Sequence, residues 1–310
     1  MKENIRRLAA ALGERVQRDA PLAAHTSMRV GGPADLLMIC TTTADLVEAV
    51  QMAQTYGVPW LLLGGGCNVL VADAGVRGLV LINRADNVRI SPDGTVWAEA
   101  GAGMAGLARA TVVQGLAGLE WASGLPGTVG GAIVGNAGAF DGDIAGVLRS
   151  ATLLFPDGTV SEQPAEWFAF TYRGSRLKGT GQPGVILAAT FGLHPGDPQR
   201  LAARAEEILE WRRTRHPAGA TMGSTFKNPS DGHAGYLIEQ ASLRGTRIGG
   251  AQVSELHGNF FMNTGGATAA DVLALIEHVR AEVERQFGVR LELEVELIGE
   301  WVHPHPTDKR

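Results

Sequence analysis

The residues best suited to chemistry in this chain are glycines. Gly64-Gly65-Gly66-Cys67-Asn68 follows the apolar run Val58 to Leu63, and Gly124-Leu125-Pro126-Gly127-Thr128-Val129-Gly130-Gly131 continues through Asn136, Gly138 and Asp141. Where side chains are absent, main-chain N–H groups can converge on a phosphate. The first loop alone reads equally well as a tight turn. Six glycines between 124 and 138 are excessive for turns, since each adds entropy to the unfolded chain, and Thr128 and Asn136 are the hydrogen-bonding side chains among them. Two such loops point to a long diphosphate ligand.

Other patterns carry less. Gly101-Ala102-Gly103-Met104-Ala105-Gly106 matches GxGxxG, but a dinucleotide fingerprint also needs a second strand ending in an acidic residue about 20 positions on, and Glu120 is followed by more glycine instead. No GxxxxGK phosphate loop is present, which argues against an ATPase. Ser224 lies outside any GxSxG context, and the eight histidines include no HExxH, so His303-Pro304-His305 reads as a solvated tail and no metal is expected. Cys40 and Cys67 lack both CxxC and disulfide-framework spacing and read as buried thiols. Tyr172, Arg173 and Arg176 sit in TYRGSRLKG, whose arginines are either solvated or paired bidentately with a carboxylate or phosphate. Glu292, Glu294 and Glu296 alternate with Leu291, Leu293, Val295 and Leu297, so one of the three can face a cleft, and the period does not say which.

The elements that must position these residues are legible in part. Ile5, Leu8, Leu12 and Val16 share one helical stripe, which predicts an opening helix. Thr42 with Asp45 reads as a capping box ahead of Leu46, Val47, Val50 and Ala53, with Gly57 as the stop and Val58 to Leu63 as a buried strand. From Arg77 to Phe155 short β-rich runs and the turn signals Pro92-Asp93-Gly94 and Pro156-Asp157-Gly158 predict mostly sheet, with its middle, 124–141, too glycine-rich for regular structure. Asp197-Pro198 opens a helix with Leu201, Ala205, Ile208 and Leu209 inward, and a domain boundary is expected near 195–217. A helix from Thr268 to about Phe287 and a strand LELEVELIG close the chain.

Composition bounds the rest. A chain of 310 residues is expected to build more than one core. Twenty-seven Lys and Arg against 32 Asp and Glu, without blocks of like charge, argue against a nucleic-acid partner. No apolar run reaches membrane-spanning length and no signal-peptide core opens the chain, which reads as cytoplasmic.

Six motifs in order closely resemble one family, the UDP-N-acetylenolpyruvoylglucosamine reductases, also called UDP-N-acetylmuramate dehydrogenases. They are TSMRVGGPAD (26–35), LGGGCNVLVAD (63–73), GLPGTVGGAIVGNAGAF (124–140), TYRGSRLK (171–178), GSTFKNP (223–229) and EVELIG (294–299). The resemblance implies an α+β fold: an FAD-binding region of the vanillyl-alcohol-oxidase (PCMH) type in two subdomains, 1–82 and 83–200, then a smaller α+β substrate domain, 201–300, with 291–310 returning toward the active site. It implies non-covalent FAD held by Leu63, Gly64, Gly65, Gly66, Cys67, Asn68, Val69, Gly124, Leu125, Pro126, Gly127, Thr128, Gly130, Gly131, Asn136 and Gly138. NADPH would be the reductant and the enolpyruvyl ether of UDP-N-acetylglucosamine the substrate, in bacterial peptidoglycan precursor synthesis. Arg173, Ser224 and Glu294 take the catalytic positions, and Tyr172, Arg215, Lys227 and Asn228 the substrate-binding ones. Ten residues between Arg173 and Gly184 leave no room for the tyrosine loop of one subgroup, so the chain resembles the shorter subgroup, and His25 stands where the family often has asparagine. The competing readings are another FAD oxidoreductase of the same fold, or a nucleotide-binding module without turnover.

Overall fold

The computed structural model describes residues 1–179 and 184–301, so His303-Pro304-His305 lies outside the described residues. Leu8, Ala9 and Leu12 form the buried face of α1 (Lys2–Leu12), which Gly13 ends at φ +63. Val16, expected on that helix, instead opens strand β1 (Val16–Pro21), because the left-handed glycine turns the chain out of helical geometry first. With β2 (Pro33–Cys40), β3 (Trp60–Leu63) and β5 (Val76–Asn83) it makes a sheet ordered β1-β2-β5-β3, antiparallel only at β1. Its near-continuous apolar strands are covered on both faces, as parallel strands require. Helix α2 (Thr43–Thr55) covers one face; the Thr42 hydroxyl accepts from the Asp45 amide, while Asp45 bonds back to the hydroxyl of Thr42 and not to its amide.

The chain then passes through β4 (Val69–Val71) into a five-stranded antiparallel sheet built from β6 (Val88–Ile90), β7 (Thr95–Glu99), β11 (Leu148–Leu154), β12 (Val160–Pro164) and β13 (Val185–Gly192). The stretch expected to be mostly sheet also holds helix α3 (Met104–Val113), the paired short strands β9 (Gly138–Ala139) and β10 (Gly142–Asp143), and β8 (Leu116–Ala117), which pairs with β14 (His194–Pro195). The glycine-rich middle is partly regular too: Val129–Val134 is helix α4, capped by the Thr128 hydroxyl, which accepts from the Gly131 amide. A Cβ at Gly130 would lie 3.1 Å from that of Ala100, so glycine here serves close helix–sheet packing.

Helix α5 (Pro198–Arg215) starts where Asp197 accepts from the amides of Gln199 and Arg200. Leu201 and Ile208 are buried, whereas Leu209, expected inward, is 41% exposed. Because Leu201 packs on Val112 and Ala117, α5 belongs to the middle unit, and the change of core falls after it rather than at 200/201. The last unit is a sheet ordered β15-β18-β17-β16, from β15 (Thr221–Ser224), β16 (Arg247–Ile248), β17 (Ala251–Val253) and β18 (Phe260–Asn263), with helices α6 (Ala234–Gln240) and α7 (Ala269–Phe287). Val272, Leu275, Ile276, Val279 and Val283 of α7 fill its core, joined by Met28, Val30 and Leu70 from the N-terminal region. A capping box of Thr268 and Asp271 starts α7, and the Asp73 carboxylate accepts from the Ala269 and Ala270 amides at 2.8 and 2.9 Å. Of LELEVELIG only Glu296–Ile298 is strand, β19, which returns to pair in parallel with β4. Among the described residues no helix is long and apolar enough to cross a membrane.

Candidate active site

A cavity of ≈ 1690 Å³ lies where the three units meet. Its floor begins with β3, whose Leu61, Leu62 and Leu63 line it, and with the turn that follows. Gly66 holds φ +62, and a Cβ there would strike the His25 carbonyl. The two glycine loops abut: a Cβ on Gly64 would strike the Thr128 hydroxyl, and one on Gly65 would come within 3.0 Å of Gly127 Cα. Gly127, at φ +108, has nothing within 4 Å of its missing side chain. The amides of Gly65, Gly66, Cys67, Gly127 and Thr128 have no acceptor among the described residues. Unpaired main-chain donors on two adjoining loops beside an open cavity are what a diphosphate requires. Leu63 to Val69, Gly124 to Thr128, Gly130, Gly131 and Gly138 all line it.

Asn136 does not. It is buried at φ +42 behind the loop, donating to the Thr171 carbonyl and accepting from the Ala145 amide, both at 3.0 Å. Its role here is to tie the second glycine loop to the segment that carries Arg173. Cys67 is only half-buried and lines the cavity, its thiol pushed up by burial; Cys40 is fully buried and pushed up to about 12.

Arg173 faces the cavity from a left-handed conformation, φ +55. Its Nε lies 3.0 Å from Glu294 Oε1, and its Nη2 donates to the Gly138 carbonyl at 2.8 Å. The three glutamates separate sharply: the side chain of Glu292 is 77% exposed, that of Glu296 43% and that of Glu294 18%. Glu294 is held inward because its amide donates to the Thr225 carbonyl at 3.0 Å while its carbonyl accepts from Asn68 Nδ2, also at 3.0 Å. Burial raises the pKa of the Glu294 carboxyl; the Arg173 and Lys178 charges oppose that rise. Ser224 lines the same cavity at the end of β15, beyond a register shift at Gly223 (φ +78) that re-aims the strand. Its hydroxyl has no hydrogen-bond partner among the described residues.

The expected substrate-binding residues divide. Asn228 lines the cavity and caps α6 by accepting from the Ala234 amide at 3.1 Å. Tyr172 and Lys227 line a second hollow of ≈ 540 Å³ on the far side of Arg173, with Lys227 Nζ 3.5 Å from Glu292. Arg215 is exposed, its guanidinium 5.2 Å over the Trp211 ring, and does not line the cavity. Arg212 does, with Nε and Nη2 buried and unpartnered and its guanidinium over Phe140. The stripe Leu201, Ala205, Ile208 extended by four residues reaches Arg212, and that spacing is the signal for it in the sequence. His216, His257 and Phe260 complete the wall beside it, their rings in mutual contact.

Residues 215–298 match the family model described as UDP-N-acetylenolpyruvoylglucosamine reductase, C-terminal domain, and residues 34–162 match an FAD binding domain. A UDP-N-acetylenolpyruvoylglucosamine reductase of Chloroflexus aggregans is 45% identical over 90% of this chain and 96% of its own length. A Bacillus anthracis relative, named UDP-N-acetylenolpyruvoylglucosamine reductase 1, is 41% identical over 96% of this chain and its whole length. The chain belongs to the UDP-N-acetylenolpyruvoylglucosamine reductase family. The crystal structure of the family member from Thermus caldophilus superposes with a TM-score of 0.79 at 33% identity, covering 91% of this chain and 98% of that one. The fold is thus that of an FAD-containing oxidoreductase: an FAD-binding region of the vanillyl-alcohol-oxidase type, then the family's C-terminal domain. The paired loops with their unpartnered amides fit that cofactor.

Proposed function

We propose that this chain reduces the enolpyruvyl ether of UDP-N-acetylglucosamine to UDP-N-acetylmuramate with NADPH, in the cytoplasm, as a step of peptidoglycan precursor synthesis. The observation that carries this reading is the Arg173–Glu294 pair, 3.0 Å apart, on the same cavity as Ser224 and the two glycine loops. Loops Gly64–Asn68 and Gly124–Gly131 hold FAD, which when bound supplies hydride transfer between nicotinamide and substrate.

Reducing an electron-rich enol ether requires that its carboxylate accept the charge that develops. Arg173 binds that carboxylate, a preorganised contribution comparable to an oxyanion-hole donor, about 3–4 kcal/mol. In the resting chain Glu294 is its partner, so the arriving carboxylate shares the guanidinium with Glu294. Two carboxyl groups on one guanidinium favour protonation of the buried one, and Glu294 already has its pKa raised by burial. It then donates a hydrogen bond instead of repelling. Ser224 delivers the proton to the α-carbon; a hydroxyl far from the ideal pKa works there through position and the basicity of the enolate. Arg212, rather than Arg215, supplies buried donors for a phosphate of the sugar nucleotide, and Asn228 lines the same cavity.

The test is one spectrum followed through two additions. Purified protein is expected to show bound flavin, to bleach with NADPH, and to recover colour anaerobically on adding the enolpyruvyl sugar nucleotide. Bleaching without recovery would reject the substrate, and absence of flavin would reject the activity altogether.

A further inference from the structure

Arg173 sits in the left-handed region within a tight turn that Thr171 and Gly174 close by exchanging main-chain hydrogen bonds at 3.0 and 3.2 Å. The group that ties this turn to the segment carrying Glu294 is Lys178. Its Nζ donates to the Arg173 carbonyl at 3.2 Å and to the Glu294 carbonyl at 3.4 Å, and lies 4.0 Å from Glu296 Oε1. The side chain is 16% exposed, and it borders both hollows. A single ammonium thus joins the main chains that carry Arg173 and Glu294, two segments with no ladder between them. A long stem ending in a cation with several donors suits two main-chain carbonyls at once. Asn68 reaches the same Glu294 carbonyl from the first glycine loop, so Lys178 completes a closed ring of contacts from that loop through Glu294 to Arg173.

We propose that Lys178 is a positioning residue for the reduction. It holds the turn that carries Arg173 against the segment that carries Glu294 and thereby sets the Arg173–Glu294 separation, so that both side chains meet the substrate carboxylate together. The chemical consequence rests on the function proposed above; the conformational one does not.

The test uses Lys178→Met and Lys178→Arg as flavin-loaded enzymes. In a crystal structure of Lys178→Met, the turn that carries Arg173 is expected to shift away from Glu294 and the Arg173–Glu294 contact, 3.0 Å in the parent, to open. In anaerobic stopped-flow, the limiting rate of flavin reoxidation by the sugar nucleotide is expected to fall about tenfold or more, the weight of a lost charged hydrogen bond. Flavin reduction by NADPH should change by no more than about twofold, since it does not pass through the substrate carboxylate. Lys178→Arg, which keeps a cation in place, should recover most of the reoxidation rate. Should Lys178→Met lose its flavin, Lys178→Gln is read by the same three measurements. An Arg173–Glu294 contact that stays near 3.0 Å in Lys178→Met overturns the proposal, as do equal losses in both half-reactions or a Lys178→Arg as slow as Lys178→Met. If the wild-type chain is not reoxidised by the sugar nucleotide, the proposed function fails, and the crystal structure alone decides the role of Lys178.

Discussion

Ser224 and Glu294 are where single atoms decide the chemistry. Replacing Ser224 with alanine removes one oxygen and leaves β15 paired with β18, so flavin reduction by NADPH should be retained while reoxidation slows by about 10²-fold or more, the usual worth of a positioned acid. Rapid-mixing traces of the two half-reactions separate these, and equal slowing would remove Ser224 from proton delivery. For the glutamates, Glu294→Ala removes both the partner of Arg173 and the donor that meets the substrate carboxylate. It should cost at least about tenfold in kcat/KM, while the exposed Glu292→Ala and Glu296→Ala stay within about twofold. Three equal phenotypes would defeat the assignment. The alternating pattern left these three residues equivalent. Glu294 turns inward because its amide and carbonyl are held by Thr225 and Asn68, contacts that no local period encodes.

At the scale of elements, two glycine motifs that look alike in the sequence behave differently in space. Gly64 faces the Thr128 hydroxyl, whereas the missing side chain of Gly103, inside the GxGxxG match, has open space around it and an ordinary φ of -74. Gly64→Ala should therefore push the loops apart, costing about 1–3 kcal/mol and lowering the flavin retained after gel filtration. Gly103→Ala should be silent in both measurements; a reversed pair of results would show that the loops do not meet as described. The caps at Thr42 and Asp197 were legible because donor and acceptor lie within three residues of each other. Helix α4 was not, since glycine composition argues against helix while one capping threonine and close packing on Ala100 supply what composition withholds.

Across the whole molecule, the junction between α5 and the last sheet carries a titratable seam. His216 lies between Trp211 and Phe260, with ring centroids 5.2 and 4.6 Å away, and burial is the main cause that lowers its pKa to about 4, Arg212 and His257 adding to it. In the unfolded chain the imidazole protonates near its ordinary 6.5, while the folded chain resists until about 4. Unfolded molecules therefore bind the extra proton between those values, and stability is lost as pH falls through that window. Thermal unfolding followed from pH 7 to pH 4 should show a steep acid limb that His216→Gln flattens; an unchanged limb would place the acid sensitivity elsewhere. The sequence by itself determined the caps at Thr42 and Asp197, the glycine turns, the span of α7 and the family, because each is written in neighbouring residues or in the order of short motifs. Only the tertiary structure decided that Glu294 pairs with Arg173, that Arg212 and not Arg215 reaches the cavity, that Asn136 stands behind its loop, and that Lys178 joins two distant segments. Burial and partnership of that kind belong to pairs of residues far apart along the chain, such as Asn68 and Glu294, separated by 226 positions, and they exist only once the three units have closed on one another.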